Sequence, residues 1–394
     1  MARQPFVAKF ARMRIILTCN FSPWSAYSGG AQRSVHNIAS HLVELGVDTT
    51  VVYSKPPGAK IKITETVNYN LMWAVLPAFQ SKRTALLRNA SSYSVKNTVL
   101  KLVGQDTVVH SNGEEASLLA TMPKREFGLV STPRYPFYPE FKVPDTSRIP
   151  GFLKLTTLNK YQALAYVVRG ADVVTPTSTF AVETVKSVYG IDDSKLEVVP
   201  NGIAQAAFEA PSRKPKRGSI FFFGRLETTK GVDILLKALA SLPETTSLTV
   251  AGSGLYENEF RNTVQNLGLK GRVRHVAWMN PRELAETMSE SAVVCLPSLE
   301  ESFGNAVAEA LAAGAPLVTT DAGSIPELVQ HDKTGLMAKP GDVESLSASL
   351  KTMLDDPAKA ELMGQAGKAS MKAYRWGDIA KRWIEVYERV LARR

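Results

Sequence analysis

The sequence predicts an α/β fold built from two domains, each organised around an open parallel β-sheet. The chain has 394 residues, which exceeds the usual size of one hydrophobic core, so two domains are the default expectation. Apolar strands alternate with amphipathic helices along most of the chain, a pattern typical of parallel sheets covered by helices. A compact β-α-β unit over residues 292–319 supplies the third observation, because its first strand leads through a short loop directly into a helix.

The first half of the chain opens with a similar unit. A strand is predicted over residues 14–19, a helix over 31–45 and a second strand over 49–53, with a long loop that ends at Gly29 and Gly30. This opening is Rossmann-like, but without a GxGxxG sequence it is a weak dinucleotide signal. The paired glycines either let the backbone approach a phosphate or a sugar, or they form a simple tight turn.

Polar side chains follow two further strands of the first half. His110 comes directly after the strand predicted over 107–109, and Arg134 follows the strand over 129–131. An aromatic and proline-rich run, residues 135–139, cannot be helical and either lines a cleft or covers the core. The other elements predicted in this half are helices over 82–103, 155–168 and 179–189 and strands over 173–174 and 196–199.

The second half begins after a linker predicted over residues 201–218. An apolar strand over 220–223 runs into Gly224, Arg225 and Lys230, and a helix over 232–239 follows. The planar guanidinium and the compact ammonium at the entrance of a helix can clamp a pyrophosphate, whereas a generic pair of this kind is solvated.

The remaining strands and helices of the second half repeat this alternation. The strand over 247–250 enters a turn containing Gly252 and Gly254, and the strand over 273–276 leads to Trp278 and Met279. Later elements are a strand over 335–337, helices over 343–354 and 357–372, and a C-terminal helix that contains Ile379, Trp383, Ile384, Tyr387 and Leu391.

The loop and helix of the β-α-β unit at 292–319 carry the most informative residues. Glu301 precedes the helix and Glu309 lies about two turns into it, with Phe303, Gly304 and Asn305 between them. The carboxyl end of a parallel strand is where such sheets bind ligands, and the N-terminus of a helix favours an anion. Two glutamates at this spacing either reach two hydroxylated parts of one long ligand or are exposed helix charges. On a helix they would be roughly 12 Å apart, too far for the acid and base pair of a glycoside hydrolase.

This loop resembles the donor-site signature of the family 4 retaining glycosyltransferases, which have the fold called GT-B. The resemblance rests on Glu301 to Gly304, on the spacing to Glu309 and on the small-residue run that follows, although the family usually has glycine where Ser302 stands. Residues 200–203 and 224–231 are similar to two other family signatures. The resemblance implies two Rossmann-like domains facing across a cleft, with a C-terminal helix that crosses back to the N-terminal domain. The boundaries expected are 1–200 for an acceptor domain, 201–372 for a donor domain and 373–394 for the returning helix.

The resemblance also implies the reaction, the transfer of a sugar from a nucleotide-diphospho-sugar to an acceptor hydroxyl with retained anomeric configuration. Glu301 would hold the sugar hydroxyls and Glu309 the nucleotide ribose, while Arg225 and Lys230 stabilise the leaving diphosphate. Other donor-binding residues expected are Gly29, Gly30, Gly224, Gly252, Gly254, Trp278, Met279, Phe303, Gly304 and Asn305.

The usual family histidine after the strand at 129–131 is absent, since Thr132, Pro133 and Arg134 stand there. His110 is one candidate to replace it, although a lone histidine at a strand end is more often structural. Arg134 is the other candidate, for an anionic acceptor group or the donor pyrophosphate. A nucleotide-sugar epimerase of the same fold, or a non-catalytic saccharide- or membrane-binding relative, is the alternative function.

No cofactor and no metal are expected, because the chain contains no Asp-x-Asp pair. The formal net charge of +10 favours anionic partners, and no acidic residue lies between Glu65 and Asp106. This basic, partly apolar stretch predicts contact with an anionic membrane surface, or else an ordinary solvated face; nucleic acid is not expected. The acceptor expected is a saccharide or lipid-linked molecule. Cys19 and Cys295 are predicted to be buried thiols, which suits a cytoplasmic protein, peripheral on the inner face of the membrane.

Overall fold

The structure is a computed structural model that describes residues 12–25, 29–75, 85–134, 160–211 and 214–394. The chain folds into two compact units, the first formed by residues 1–202 together with Trp376–Arg394 and the second by Ile203–Arg375. Each unit holds a six-stranded sheet whose paired strands are parallel, so the predicted α/β class with two parallel sheets is confirmed. The aromatic and proline-rich run at 135–139 lies outside the described residues.

The first sheet has the strand order β3-β2-β1-β4-β5-β6. Its strands are β1 Arg14–Cys19, β2 Asp48–Lys55, β3 Asn70–Val75, β4 Thr107–Ser111, β5 Gly128–Ser131 and β6 Val173–Val174. The helices between them are α1 Gly30–Glu44, α2 Ala85–Leu100, α3 Ser117–Ala120, α4 Lys160–Gly170 and α5 Thr179–Tyr189. Short 3₁₀ turns are formed by Glu114–Ala116 and Asp193–Lys195.

The second sheet has the order β12-β11-β10-β7-β8-β9. Its strands are β7 Lys216–Phe223, β8 Ser247–Ala251, β9 Val273–Val276, β10 Ser291–Leu296, β11 Leu317–Thr320 and β12 Leu336–Ala338. The helices of this unit are α6 Gln205–Phe208, α7 Val232–Ala240, α8 Glu257–Asn266, α9 Pro281–Glu290, α10 Asn305–Ala313, α11 Ile325–Leu328, α12 Val343–Asp355 and α13 Pro357–Ser370. Two 3₁₀ turns, Thr228–Lys230 and Lys372–Tyr374, complete it.

The last helix, α14 (Trp376–Ala392), belongs to the first unit. Its buried face includes Trp383 and Tyr387, which pack in the same core as β1, β4 and α1. Trp376 fills the space beside Gly202, where a Cβ atom would come within 2.3 Å of the indole ring. Packing of this amphipathic face, rather than helix propensity alone, therefore fixes the end of the chain on the first sheet.

In both sheets the strand order reverses between the first and fourth strands of the unit. These reversals lie between β1 and β4 in one unit and between β7 and β10 in the other. Loops that leave the carboxyl ends of two such strands diverge and open a crevice, which is the usual ligand position in doubly wound sheets. The loops after these four strands are therefore the places where the fold favours a binding site.

Two predicted segments differ in the structure. Residues 196–199 are not a strand, and only Leu196 forms a bridge, to Val174. The neighbouring β6 is two residues long and Pro176 follows soon after it; proline has no N–H to continue a ladder. The linker predicted over 201–218 is also partly regular, because it contains α6 and the beginning of β7.

Both cysteines are buried free thiols, which confirms the prediction for Cys19 and Cys295. Burial raises the pKa of each, so neither side chain resembles a reactive thiolate. In the part of the chain that the structure describes, no helix combines the length and the apolar character needed to cross a bilayer.

Candidate active site

The loops at the carboxyl edge of the second sheet touch one another through glycines. A Cβ atom on Gly252 would lie 1.8 Å from the carbonyl oxygen of Gly224, and one on Gly231 would lie 2.1 Å from that of Pro297. A Cβ atom on Gly323 would lie 2.1 Å from the carbonyl oxygen of Glu301. All three glycines have positive φ, so a side chain there would meet both a clash and an unfavourable backbone region. The loops after β7, β8, β10 and β11 are therefore held backbone to backbone.

Lys230 and Glu301 form an ion pair across two of these loops. The Nζ atom of Lys230 lies 2.5 Å from Oε1 of Glu301, and the hydroxyl of Ser298 donates to the same oxygen at 3.0 Å. Their side chains are 24% and 13% exposed, so water screens this pair less than a surface pair. The structure thus brings together two residues that the sequence placed 71 positions apart. Ser298 is a contact that the sequence reasoning missed.

Arg225 is placed in the same β7 loop but has a different partner. Its Nη1 atom lies 2.8 Å from Oε1 of Glu227, and its side chain is 64% exposed. A pair this open contributes little stability, so the guanidinium can leave Glu227 at small cost. Glu227 was not singled out from the sequence, although a carboxylate two residues from an arginine in one loop was a signal for this pairing.

Glu309 lies on α10, which begins directly after Gly304 in a left-handed conformation with φ 88°. Glu309 is half-buried, and desolvation of its carboxyl group raises its pKa to about 7. Phe303 is buried in the core and packs near Tyr374. Asn305 is the first residue of α10, where the positive end of the helix dipole favours an anion.

The other predicted donor residues lie after β8 and β9. Gly254 packs against the backbone of the β7 loop, where a Cβ atom would lie 2.2 Å from the carbonyl oxygen of Leu226. Trp278 is 69% exposed, whereas Met279 packs against the core of the second unit. An exposed indole at the carboxyl edge offers a flat face for a planar ring.

In the first unit, His110 is not available to a ligand. It lies within β4 rather than after it, and its side chain is fully buried. Nδ1 lies 2.8 Å from the hydroxyl of Tyr387 and Nε2 lies 2.7 Å from Oγ1 of Thr132. Desolvation and the nearby positive charge of Arg134 hold its pKa well below the usual range. These contacts favour the structural role, which is one of the two alternatives that the sequence left open for His110.

Arg134 lies at the end of β5, among residues from three other segments. Its Nε atom donates to Oδ1 of Asn112 at 2.9 Å, and Nη1 donates to Oδ1 of Asn201 at 2.5 Å. Burial lowers the pKa of the guanidinium to about 10, so it stays protonated at neutral pH. The hydroxyl of Ser34 on α1 donates to the same Asn201 oxygen.

Glu115 is a buried carboxylate that the sequence reasoning did not select. Its Oε1 atom accepts hydrogen bonds from the hydroxyls of Thr18 and Ser111 and from the backbone N–H of Asn112. Burial raises its pKa, while these donors oppose the rise. It ties the ends of β1 and β4 together and so fixes the loop that presents Asn112 to Arg134.

Gly29 and Gly30 begin α1 at the carboxyl end of β1. Gly29 is extended, with φ −150°, and its N–H donates to the side chain of Gln32, which in turn donates to the carbonyl oxygen of Asn20. The tight turn that requires positive φ is therefore not formed at Gly29. Close approach of the backbone to a ligand stays a prediction for these glycines.

Side chains of the types that ligate metals are scattered rather than grouped. Within the described ranges, no group of three or more His, Cys, Asp and Glu side chains is placed to hold a metal ion.

Two family descriptions match adjoining parts of the chain. Residues 28–206 match "Glycosyltransferase Family 4", and residues 204–370 match "Glycosyl transferases group 1". Their junction falls close to the boundary between the two units, which lies after Gly202.

Individual proteins are similar over nearly the whole chain. A glycogen synthase of Mycobacterium tuberculosis is 27% identical over 387 residues, covering 91% of each chain. Sucrose-phosphate synthase from Thermosynechococcus elongatus has a similar structure, with a TM-score of 0.80 and 20% identity over 97% of this chain and 100% of its own. Anabaena HepE in complex with UDP-glucose aligns with a TM-score of 0.72 and 18% identity over 96% of this chain and 100% of its own.

Proposed function

The chain belongs to the family 4 glycosyltransferases of GT-B fold, and we propose that it moves a sugar from a nucleotide-diphospho-sugar to an acceptor hydroxyl with retained anomeric configuration. The observation that carries this proposal is the Lys230–Glu301 pair at the carboxyl edge of two adjacent strands, next to the start of α10. The acceptor class is a glycolipid, lipopolysaccharide or polysaccharide precursor. The donor is bound by the second unit and the acceptor by the first.

The leaving diphosphate is the main electrostatic problem of this reaction. Negative charge grows on its β-phosphate as the glycosidic bond breaks, and cations already in place lower the barrier. Lys230 has three N–H donors, of which Glu301 takes one, so its ammonium can hold the carboxylate and a phosphate oxygen together. Arg225 adds a planar fork once it leaves Glu227, and the N-terminus of α10 adds the positive end of its helix dipole.

The two glutamates have separate positions and separate tasks. The hydrogen bonds that described residues donate to the Glu301 carboxylate reach Oε1, so we assign Oε2 to the sugar hydroxyls. Glu309, four residues into α10, accepts the ribose hydroxyls, and these donors favour its ionised form in the complex.

We infer that the reaction needs no metal ion, because Arg225 and Lys230 supply two cations in the β7 loop that can offset the charge of the leaving diphosphate. Turnover that is abolished by a chelator and restored by a divalent cation would contradict this inference.

Contact with an anionic membrane from the cytoplasmic side completes the proposal. On the first unit, exposed apolar side chains of β3 and α2 include Met72, Val75, Tyr93 and Leu100. Lys96 and Lys101 lie on or directly after α2, within the stretch that carries no acidic residue. Basic groups beside apolar side chains are suited to an anionic interface.

A donor screen followed by product analysis tests the proposed function. Nucleotide-sugars are screened by thermal shift, because a ligand that binds only the folded state raises its apparent stability. The stabilising donor is then assayed for hydrolysis and for transfer to an acceptor panel, with Arg225→Ala and Lys230→Ala as variants. We expect turnover in both variants to fall by about 100-fold or more. An isomerised donor formed without acceptor would indicate an epimerase, and no donor binding would indicate a non-catalytic relative.

A further inference from the structure

Among the described residues, the partners that hold the guanidinium of Arg134 are neutral. Its Nε and Nη1 atoms donate to the amide oxygens of Asn112 and Asn201, which come from the β4 loop and from the segment just before the unit boundary. Each asparagine is itself fixed, Asn112 through the carbonyl oxygen of Thr18 and Asn201 through the hydroxyl of Ser34. The orientation of Arg134 is therefore set before any ligand arrives.

The positive charge of Arg134 meets no direct counter-charge from the residues that the structure describes. No carboxylate of a described residue forms an ion pair with it, although the burial is deep enough to lower its pKa. The carboxylate of Glu115 is directed instead to Thr18, Ser111 and the backbone of Asn112. A buried cation without a counter-charge is costly, and the cost is recovered only when an anion binds beside it.

One donor of the guanidinium also finds no partner in the described ranges. Nη2 is buried and forms no hydrogen bond to a described residue, whereas Nε and Nη1 of the same side chain are engaged. The residue as a whole keeps partial exposure, so the cluster reaches the surface at Arg134. It lies at the carboxyl edge of the first sheet, beside the strand reversal between β1 and β4.

We propose that Arg134, oriented by Asn112 and Asn201, binds a phosphate-type oxyanion of a substrate in the first unit. This inference rests on the proposed function, because it assigns the anion to a glycosyl donor or acceptor. Because the first unit is the proposed acceptor side, we assign the oxyanion to a phosphate group on the acceptor; the diphosphate of the donor is the other outcome of the test below. In both cases Nη2 gains a charge-assisted hydrogen bond and the buried charge is neutralised.

The test uses inorganic phosphate on the full chain in which Arg225 and Lys230 are both replaced by alanine, so that the donor clamp does not contribute. Phosphate affinity is measured by calorimetry at constant ionic strength, with and without Arg134→Gln. We expect the substitution to weaken phosphate binding about tenfold or more. Arg169→Gln is the matched control, because it removes the same charge from α4, where Arg169 donates to the carbonyl oxygen of Tyr189. This control should leave the affinity for phosphate unchanged.

Two further measurements complete the test. Circular dichroism and thermal unfolding without ligand establish that Arg134→Gln is folded. If it is not, Arg134→Lys keeps the charge, loses the fork geometry and should still weaken phosphate binding. In the otherwise native chain, the effect of Arg134→Gln on UDP binding distinguishes an acceptor phosphate from the donor diphosphate. Weaker UDP binding assigns the anion to the donor diphosphate, and unchanged UDP binding assigns it to the acceptor.

Phosphate affinity that is the same with and without Arg134→Gln would overturn the inference, as would the absence of phosphate binding in the Arg225→Ala/Lys230→Ala chain. The proposed function is judged separately, by donor binding and transfer in the native chain. Either idea can therefore fail while the other stands.

Discussion

The ammonium of Lys230 lies 2.5 Å from Oε1 of Glu301, and each residue belongs to a loop that leaves one of two adjacent parallel strands, β7 and β10. Because Gly231 and Gly323 allow close backbone contact on either side, the pair is set by the main chain as well as by charge. An ammonium and a carboxylate held together in this way can act on a ligand as a unit, one through phosphate and the other through hydroxyl groups.

Replacing Lys230 by alanine should lower kcat by about 100- to 1,000-fold, because one preorganised donor to the developing phosphate charge is lost. Steady-state kinetics with saturating donor measures the effect. The matched control is Lys237→Ala on α7, which breaks an ion pair with Asp233 in the same unit. Its rate should stay within about twofold of the native rate, since Lys237 is 51% exposed and lies on a helix rather than in the candidate site. If kcat of Lys230→Ala is close to that of Lys237→Ala, Lys230 does not stabilise the leaving diphosphate.

Replacing Glu227 by glutamine should tighten the binding of a nucleoside diphosphate. Arg225 is paired with Glu227 before the ligand arrives, and a neutral amide competes less for the guanidinium. An exposed pair is worth up to about 1 kcal/mol, so a gain of about two- to fivefold is expected by calorimetry. Glu257→Gln on α8 is a close control, because it releases Arg261 from a pair of similar exposure. Weaker binding in Glu227→Gln would mean that Glu227 orients Arg225 rather than competing for it.

The sequence predicts elements and motifs that depend on neighbouring residues better than it predicts which side chains of different loops form contacts. The alternation of strands and helices predicted both parallel sheets, since it follows from local hydrophobic periodicity. The pairing of Lys230 with Glu301 depends on β7 and β10 becoming neighbours, and no local pattern encodes that. The same limit applies to His110, which looked like a loop residue because nothing nearby revealed that Trp383 and Tyr387 of α14 cover it.

Glu309 should make nucleotide binding depend on pH near neutrality. Its pKa is about 7 in the unliganded chain, and ribose hydroxyls stabilise the ionised form. Binding therefore requires loss of a proton below pH 7, and affinity for UDP should rise about tenfold between pH 6 and pH 8. Calorimetry across this range measures the rise. Glu309→Gln should leave only the change caused by the nucleotide's own phosphate, which titrates near pH 6.

The same carboxyl group has the opposite effect on the stability of the unliganded chain. Its pKa is raised on folding, so the native state binds more protons than the unfolded state between about pH 4.3 and pH 7. The free energy of unfolding should fall as pH rises through that window. Glu309→Gln removes this pH-dependent fall in stability. We therefore expect the free energy of unfolding of the variant to exceed that of the native chain at pH 8 but not at pH 4. Equal stability at pH 8 would contradict the raised pKa.

Reversing two charges beside α2 should weaken binding to an anionic membrane. Lys96→Glu combined with Lys101→Glu places negative charge next to the exposed Tyr93 and Leu100, in a stretch that otherwise has no acidic residue. Each basic residue near such a surface contributes about 1 kcal/mol, so cosedimentation with phosphatidylserine vesicles should fall by about tenfold or more. Lys270→Glu with Lys351→Glu changes net charge equally on the second unit and should have a smaller effect. Binding should also weaken as salt is raised, because the Debye length shortens. If the native protein does not bind these vesicles, or binds them equally at every salt concentration, the proposed membrane contact is wrong.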